Sequence, residues 1–151
     1  MKRLAIIAIL LTSLLSIQAS NPIGKINQDN DQQGKVVPMN KALFLKEVFD
    51  YEKSQTWDFI GKKPVIIDLY ASWCAPCRKI APIMEELAKE YKDQIKIYKV
   101  NVDKEKELAG LFNATSIPLL VFIPLKGDPQ FIRGAADKAT YKRGIDEFLL
   151  K

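Results

Sequence analysis

Hydrophobic positions recur along this chain with two periods that take turns. Val65-Ile66-Ile67-Asp68-Leu69-Tyr70 is an apolar run opened by Pro64 and interrupted once; it is too apolar on both faces for a sheet edge and predicts a central strand. From Arg78 to Tyr91 the spacing becomes helical, with Ile80, Ile83, Met84, Leu87 and Ala88 on one face and a kink expected at Pro82. Ile95 to Val102 reads as the next strand, Lys104 to Phe112 as a short helix, and Leu119 to Ile123 as another strand. Lys126-Gly127-Asp128 turns that strand into an antiparallel partner, Gln130 to Arg133. Asp137 caps a last helix whose Tyr141, Ile145, Phe148 and Leu149 face a core. Upstream, Asn40 caps a helix carrying Leu43, Phe44, Val48 and Phe49 through about Lys53. Ser54 to Lys63 is then a loop, with Trp57 and Phe59-Ile60 packing back onto the domain. Strand, helix, strand, then hairpin and helix is an α/β order: a mixed central β-sheet flanked by helices on both faces.

The N-terminus has another character. Lys2-Arg3 precedes an apolar stretch from Leu4 to Leu15, broken only by Thr12 and Ser13, and the small residues Ala19 and Ser20 follow. That order is a secretory signal peptide, and the stretch is short of the ~20 residues that span a bilayer, which makes an uncleaved membrane anchor the lesser alternative. Asn21 to Val37 is polar and without periodicity, a flexible linker. The expected division is therefore 1–20 signal peptide, 21–37 linker and 38–151 folded domain. The protein is expected to be exported and periplasmic.

Composition adds little to this. The net charge of +5 includes Lys2 and Arg3, which leaves +3 once the leader is removed. No basic run is interleaved with aromatics, so nucleic acid is not an expected partner. With no His and two cysteines in the whole chain, no metal is expected either.

Those two cysteines carry the chemistry. Trp73-Cys74-Ala75-Pro76-Cys77 lies where the central strand gives way to the helix. A Cys-x-x-Cys there puts its first thiol at a helix N-terminus, where unpaired backbone N–H groups and the macrodipole favour a thiolate. The second thiol, one turn on, can resolve a mixed disulfide into an internal bridge, and the pair predicts dithiol–disulfide exchange. The competing readings are a structural disulfide, which would constrain little over so short a loop, half of a zinc site, and two unrelated buried thiols. Asp68 is conspicuous in its own right. A carboxylate amid an apolar strand is costly to bury, and desolvation raises its pKa towards neutrality, where it can exchange protons. Lys99 alternates with Ile95 and Ile97 on one strand face and is expected near Asp68, the alternatives being a structural buried ion pair or a solvated lysine.

From Met39 to Lys151 the chain resembles the thioredoxins, and among them the exported bacterial members. The resemblance rests on Asp68-Leu69-Tyr70-Ala71-Ser72-Trp73-Cys74-Ala75-Pro76-Cys77, Pro82, Lys99-Val100-Asn101-Val102-Asp103, Ser116-Ile117-Pro118 and Gly134-Ala135, in that order. It implies a thioredoxin-like fold, with Cys74 as nucleophile and Cys77 as resolving thiol. It implies a cis peptide before Pro118, where the residues alone allow an ordinary trans proline opening a strand. Asp68 would relay a proton to or from Cys77, with Lys99 nearby. Trp73, Ala75, Pro76, Ile117, Pro118 and Ala135 would form an apolar rim for clients, although Trp73 also suits simple packing. Two residues depart from the family pattern: Ala75 stands where Gly is usual, and Arg133 where an apolar residue is common.

The resemblance also bears on direction. Strong oxidants and isomerases of this fold carry a His between the cysteines, whereas Ala75-Pro76 has none. The expectation is a monomeric, cofactor-free reductase of disulfides in exported client proteins, re-reduced by a membrane electron-donor protein. A disulfide-forming oxidase or isomerase, and a non-catalytic binding module or chaperone, are the alternatives.

Overall fold

The structure, a computed structural model, describes residues 32–151. The signal peptide and residues 21–31 of the linker lie outside the described residues.

Five strands form one sheet in the order β1-β3-β2-β4-β5. They are β1 (Val36–Pro38), β2 (Val65–Tyr70), β3 (Lys96–Asn101), β4 (Leu119–Ile123) and β5 (Gln130–Arg133). β1 and β2 both run parallel to β3, while β4 is antiparallel to β2 and to β5. β2 is therefore central, as its two apolar faces require. β1 corrects the expected boundary of the linker: Val36 and Val37 belong to the sheet, held by pairing with Ile97 and Tyr98 on β3. A three-residue strand next to a polar segment has no period to read; its partner sits 61 positions away.

Alternation along the strands sends side chains to two cores. Ile66, Ile97, Leu120 and Phe122 face one side, packed under Ile80, Met84 and Leu87 of the helix α2 (Ala75–Glu90) and under Tyr141, Ile145 and Leu149 near the C-terminus. Val65, Ile67, Leu69, Tyr98, Val100, Leu119 and Val121 face the other side, covered by Phe44 of α1 (Lys41–Glu47) and by Leu108 and Phe112 in and after α3 (Lys106–Leu111).

Three helices differ from expectation for identifiable reasons. α1 starts on the Asn40 cap, whose side chain accepts the Leu43 N–H at 2.9 Å, but stops at Glu47 and does not reach Lys53. The returning loop donates Ile60 N–H to the Val48 carbonyl at 3.0 Å, and Phe49 turns in to meet Trp57 with ring centroids 5.0 Å apart. α2 begins three residues earlier than its apolar period, because Cys74 caps it and Pro76 is tolerated in a first turn, where its missing N–H is no loss. It then continues through Pro82 to Glu90. The last helix, α4 (Lys138–Gly144), is capped by Asp137 as expected and passes into a π-helical turn over Ile145–Leu149. Gly144 allows that helix to lie against the sheet, since a Cβ there would come within 2.9 Å of the Phe122 ring.

Candidate functional site

The site is assembled at the end of β2. After Tyr70 the chain tightens, with Cys74 N–H donating to the Ala71 carbonyl at 3.2 Å, and enters α2 at Ala75. Cys74 is the N-cap, and its Sγ accepts the backbone N–H of Cys77 at 3.2 Å. The two cysteines form a disulfide. A sulfur on the N-terminus of a 16-residue helix, already receiving a backbone N–H, is placed where negative charge is favoured. Both cysteines are only 3 % exposed and sit in a small cluster with Ala71, against which Ile117 and Val102 pack.

Trp73 is 68 % exposed, which removes the simple packing alternative. It is held in place even so: its indole N–H donates to Asp103 Oδ2 at 3.0 Å, and Asp103 is itself turned by its N–H bond to Asn101 Oδ1 at 2.9 Å. Arg78 closes the same segment from below, donating Nη1 to the Ser72 carbonyl at 3.0 Å. Sequence reasoning did not assign Asp103 or Arg78 to the site. Asp103 lies in the stretch that carries the resemblance, but its link to Trp73, 30 positions away, appears only in the fold.

The opposite wall comes from the connection between α3 and β4. The Ile117–Pro118 peptide is cis, as the resemblance implied. Ile117 is half-buried beside the cysteines, and Ala75, Pro76 and Ala135 are exposed. Pro118 follows in this wall. It is buried and contributes its backbone, its carbonyl accepting the Gly134 N–H at 2.9 Å, which brings Ala135 beside this loop. Gly134 has φ +82°, a conformation that favours glycine.

Beneath lies Asp68, 5 % exposed, paired in register with Lys99 on β3 and Leu120 on β4 and facing the α2 side of the sheet with Ile66. Its Oδ1 has no hydrogen-bond partner among the described residues. Burial pushes its pKa up from 3.8 to about 7, and the positive charge of Lys99 pulls the other way without prevailing. Lys99 is half-buried beside it, as its alternation predicted, but makes no direct ion pair with it among the described residues. A carboxyl group with one oxygen unpartnered and a pKa near neutrality is equipped to take up or return a proton at ordinary pH.

The family model described as Thioredoxin matches residues 36–147, most of the chain and the whole of the sheet. The chain belongs to the thioredoxin family. A thioredoxin of Borreliella burgdorferi is 39 % identical over 112 residues, covering 74 % of this chain and 96 % of that one. A chloroplastic M-type thioredoxin of Spinacia oleracea is 38 % identical over 107 residues, 70 % of this chain and 59 % of its relative. Thioredoxin 1 of Synechococcus elongatus is 37 % identical over 86 residues, 57 % of this chain and 80 % of its own length. A cysteine pair at disulfide distance, at the head of α2 in a thioredoxin fold, makes the protein a thiol–disulfide oxidoreductase.

Proposed function

We propose that this thioredoxin is a dithiol reductase acting on disulfides of exported proteins. Cys74, as thiolate, attacks one sulfur of a client disulfide, forming a mixed disulfide and expelling the first client thiolate. Cys77, deprotonated, then attacks the Cys74 sulfur, forming the Cys74–Cys77 disulfide and expelling the second client thiolate. The two electrons that reduce the client come from the dithiol, and the two client thiolates take up protons. Asp68 serves Cys77 as proton acceptor on oxidation and donor on reduction, and the Lys99 charge keeps its pKa from rising further. Trp73, Ala75, Pro76, Ile117 and Ala135 receive the client, with the Ile117–Pro118 backbone alongside.

The observation that carries this assignment of roles is the Cys74 Sγ at the helix cap, receiving the Cys77 N–H. The direction is supported by Ala75-Pro76: without a cationic side chain between the cysteines the Cys74 thiolate is stabilised less, and so is the dithiol form, which favours donating electrons. The expected result is catalysed reduction of insulin by dithiothreitol, together with a mainly dithiol state of Cys74 and Cys77 when thiols are trapped in whole cells. A mainly disulfide state in cells would reverse the direction to an oxidase or isomerase.

Export is supported by the Lys2-Arg3 start, the apolar stretch to Leu15 and the small residues at Ala19 and Ser20. A soluble cytoplasmic reductase cannot reach an exported thioredoxin, so the electron donor is a membrane protein. N-terminal sequencing of the exported protein should read from Ser20 or Asn21. Recovery of intact Met1 in the membrane fraction would show an anchor instead.

A further inference from the structure

Two exposed guanidinium groups stand on the two chain segments that frame the dithiol. Arg78, in the first turn of α2, donates one N–H to the Ser72 carbonyl, next to the exposed Trp73. Arg133, the last residue of β5, pairs in register with Leu119 and directly precedes Gly134, whose N–H holds the Pro118 carbonyl. Its Nη1 reaches the Asn113 carbonyl at 3.4 Å, at the start of the loop that leads to Ile117. Each group spends one of its five N–H donors on a backbone carbonyl, and neither meets a carboxylate within ion-pair distance among the described residues. Two acids of this region are engaged elsewhere: Asp103 accepts the Trp73 indole N–H and Asp137 accepts the Thr140 N–H. The surroundings of the disulfide thus offer two tethered, positioned forks with donors to spare, the arrangement that suits bidentate capture of carboxylates.

We infer that the client surface of this protein selects disulfides flanked by acidic residues, with Arg133 and Arg78 as the specificity-determining positions. The inference rests on the reductase reading above. A client segment seated on this rim lies beside the two chain segments that carry the cations. Acidic side chains on either flank find a guanidinium, and basic ones meet like charge. Exposed pairs are each weak, so the preference expected from two of them is about tenfold, and it is sensitive to salt.

The test uses three synthetic peptides that share one internal disulfide and differ only in flanks of Asp and Glu, of Ser, or of Lys. Reduction by the full chain is followed with dithiothreitol as electron source, at low salt and at 0.5 M NaCl. The acidic peptide should exceed the basic one about tenfold in kcat/KM at low salt, mainly through KM, and the ratio should shrink towards one at high salt. Arg133→Gln should lower the ratio about threefold, and Arg133→Glu should lower it further, with Arg78→Gln acting separately on the same ratio. Equal rates for acidic and basic peptides, or a ratio untouched by all three substitutions, would overturn the inference while leaving the reductase in place. Failure to reduce even the Ser-flanked peptide above the dithiothreitol background would overturn the reductase reading and this inference with it.

Discussion

Cys74→Ser should reduce disulfide exchange to the uncatalysed background, whereas Cys77→Ser should attack clients normally and then remain attached to them. The difference follows from where α2 begins. Cys74 is the cap residue whose sulfur accepts the Cys77 N–H, so charge on that sulfur is answered by a backbone donor and by the helix end. Cys77 lies one turn inside, where it can reach the Cys74 sulfur but has no such cap position. Without Cys77 the mixed disulfide has no internal thiol to resolve it and should accumulate as a covalent client adduct, visible by mass on non-reducing separation. Neither change should unfold the protein. A loop closed over a separation of three residues restricts the unfolded chain little, and the chain-entropy model gives about 2 kcal/mol for its loss. The measurement that decides between the cysteines is alkylation of the reduced protein at neutral pH: Cys74 should react first, and faster labelling of Cys77 would exchange the two roles.

Much of the site was written locally, and what was missing was written across the fold. β2, β4 and β5 begin and end where the sequence placed them, because Pro64 and the turn with Gly127 at φ +94° punctuate apolar runs too short to be helices. The cysteine pair and the conspicuous Asp68 needed no tertiary information, since a strand-to-helix junction and a lone carboxylate in an apolar run are one-dimensional signals. By contrast, α1 ends early because of a hydrogen bond from Ile60, and β1 exists because of β3. Neither partner is visible from the segment itself. The same holds for chemistry. Trp73 reads as rim with core as the alternative until Asp103 is seen holding its indole at the surface, and only the fold shows Pro118 buried with its carbonyl accepting the Gly134 N–H. Lys99 lay between these cases: alternation placed it beside Asp68, but only the structure shows that the two make no direct pair and that burial outweighs its charge.

Asp68→Asn should stabilise the fold and slow the enzyme. The stability half follows from linkage. The Asp68 carboxyl gives up its proton near 3.8 in the unfolded chain and at about 7 in the folded one. Between those values the unfolded state binds fewer protons than the native state, so stability falls as pH rises from 4 to 7 and is flat above. Asparagine has nearly the same shape and no proton to lose. The variant should therefore match the wild type near pH 3.5 and exceed it increasingly up to neutrality, by up to about 4 kcal/mol above pH 7. Denaturant unfolding of the oxidised forms across that range measures the divergence. A purely structural carboxylate would stop there, with exchange unaffected. If Asp68 handles the Cys77 proton, the step in which Cys77 attacks or departs should slow about 10²-fold, the lower end of what a positioned acid or base contributes. The contribution of Asp68 to the pH dependence of that step should vanish with it. Stopped-flow reduction of a disulfide client by the dithiol form reads both. Stability and rate moving in opposite directions identify a residue kept in the central strand for its chemistry at a cost to the fold. An unchanged rate and pH profile would remove Asp68 from the mechanism and leave its burial as a structural matter alone.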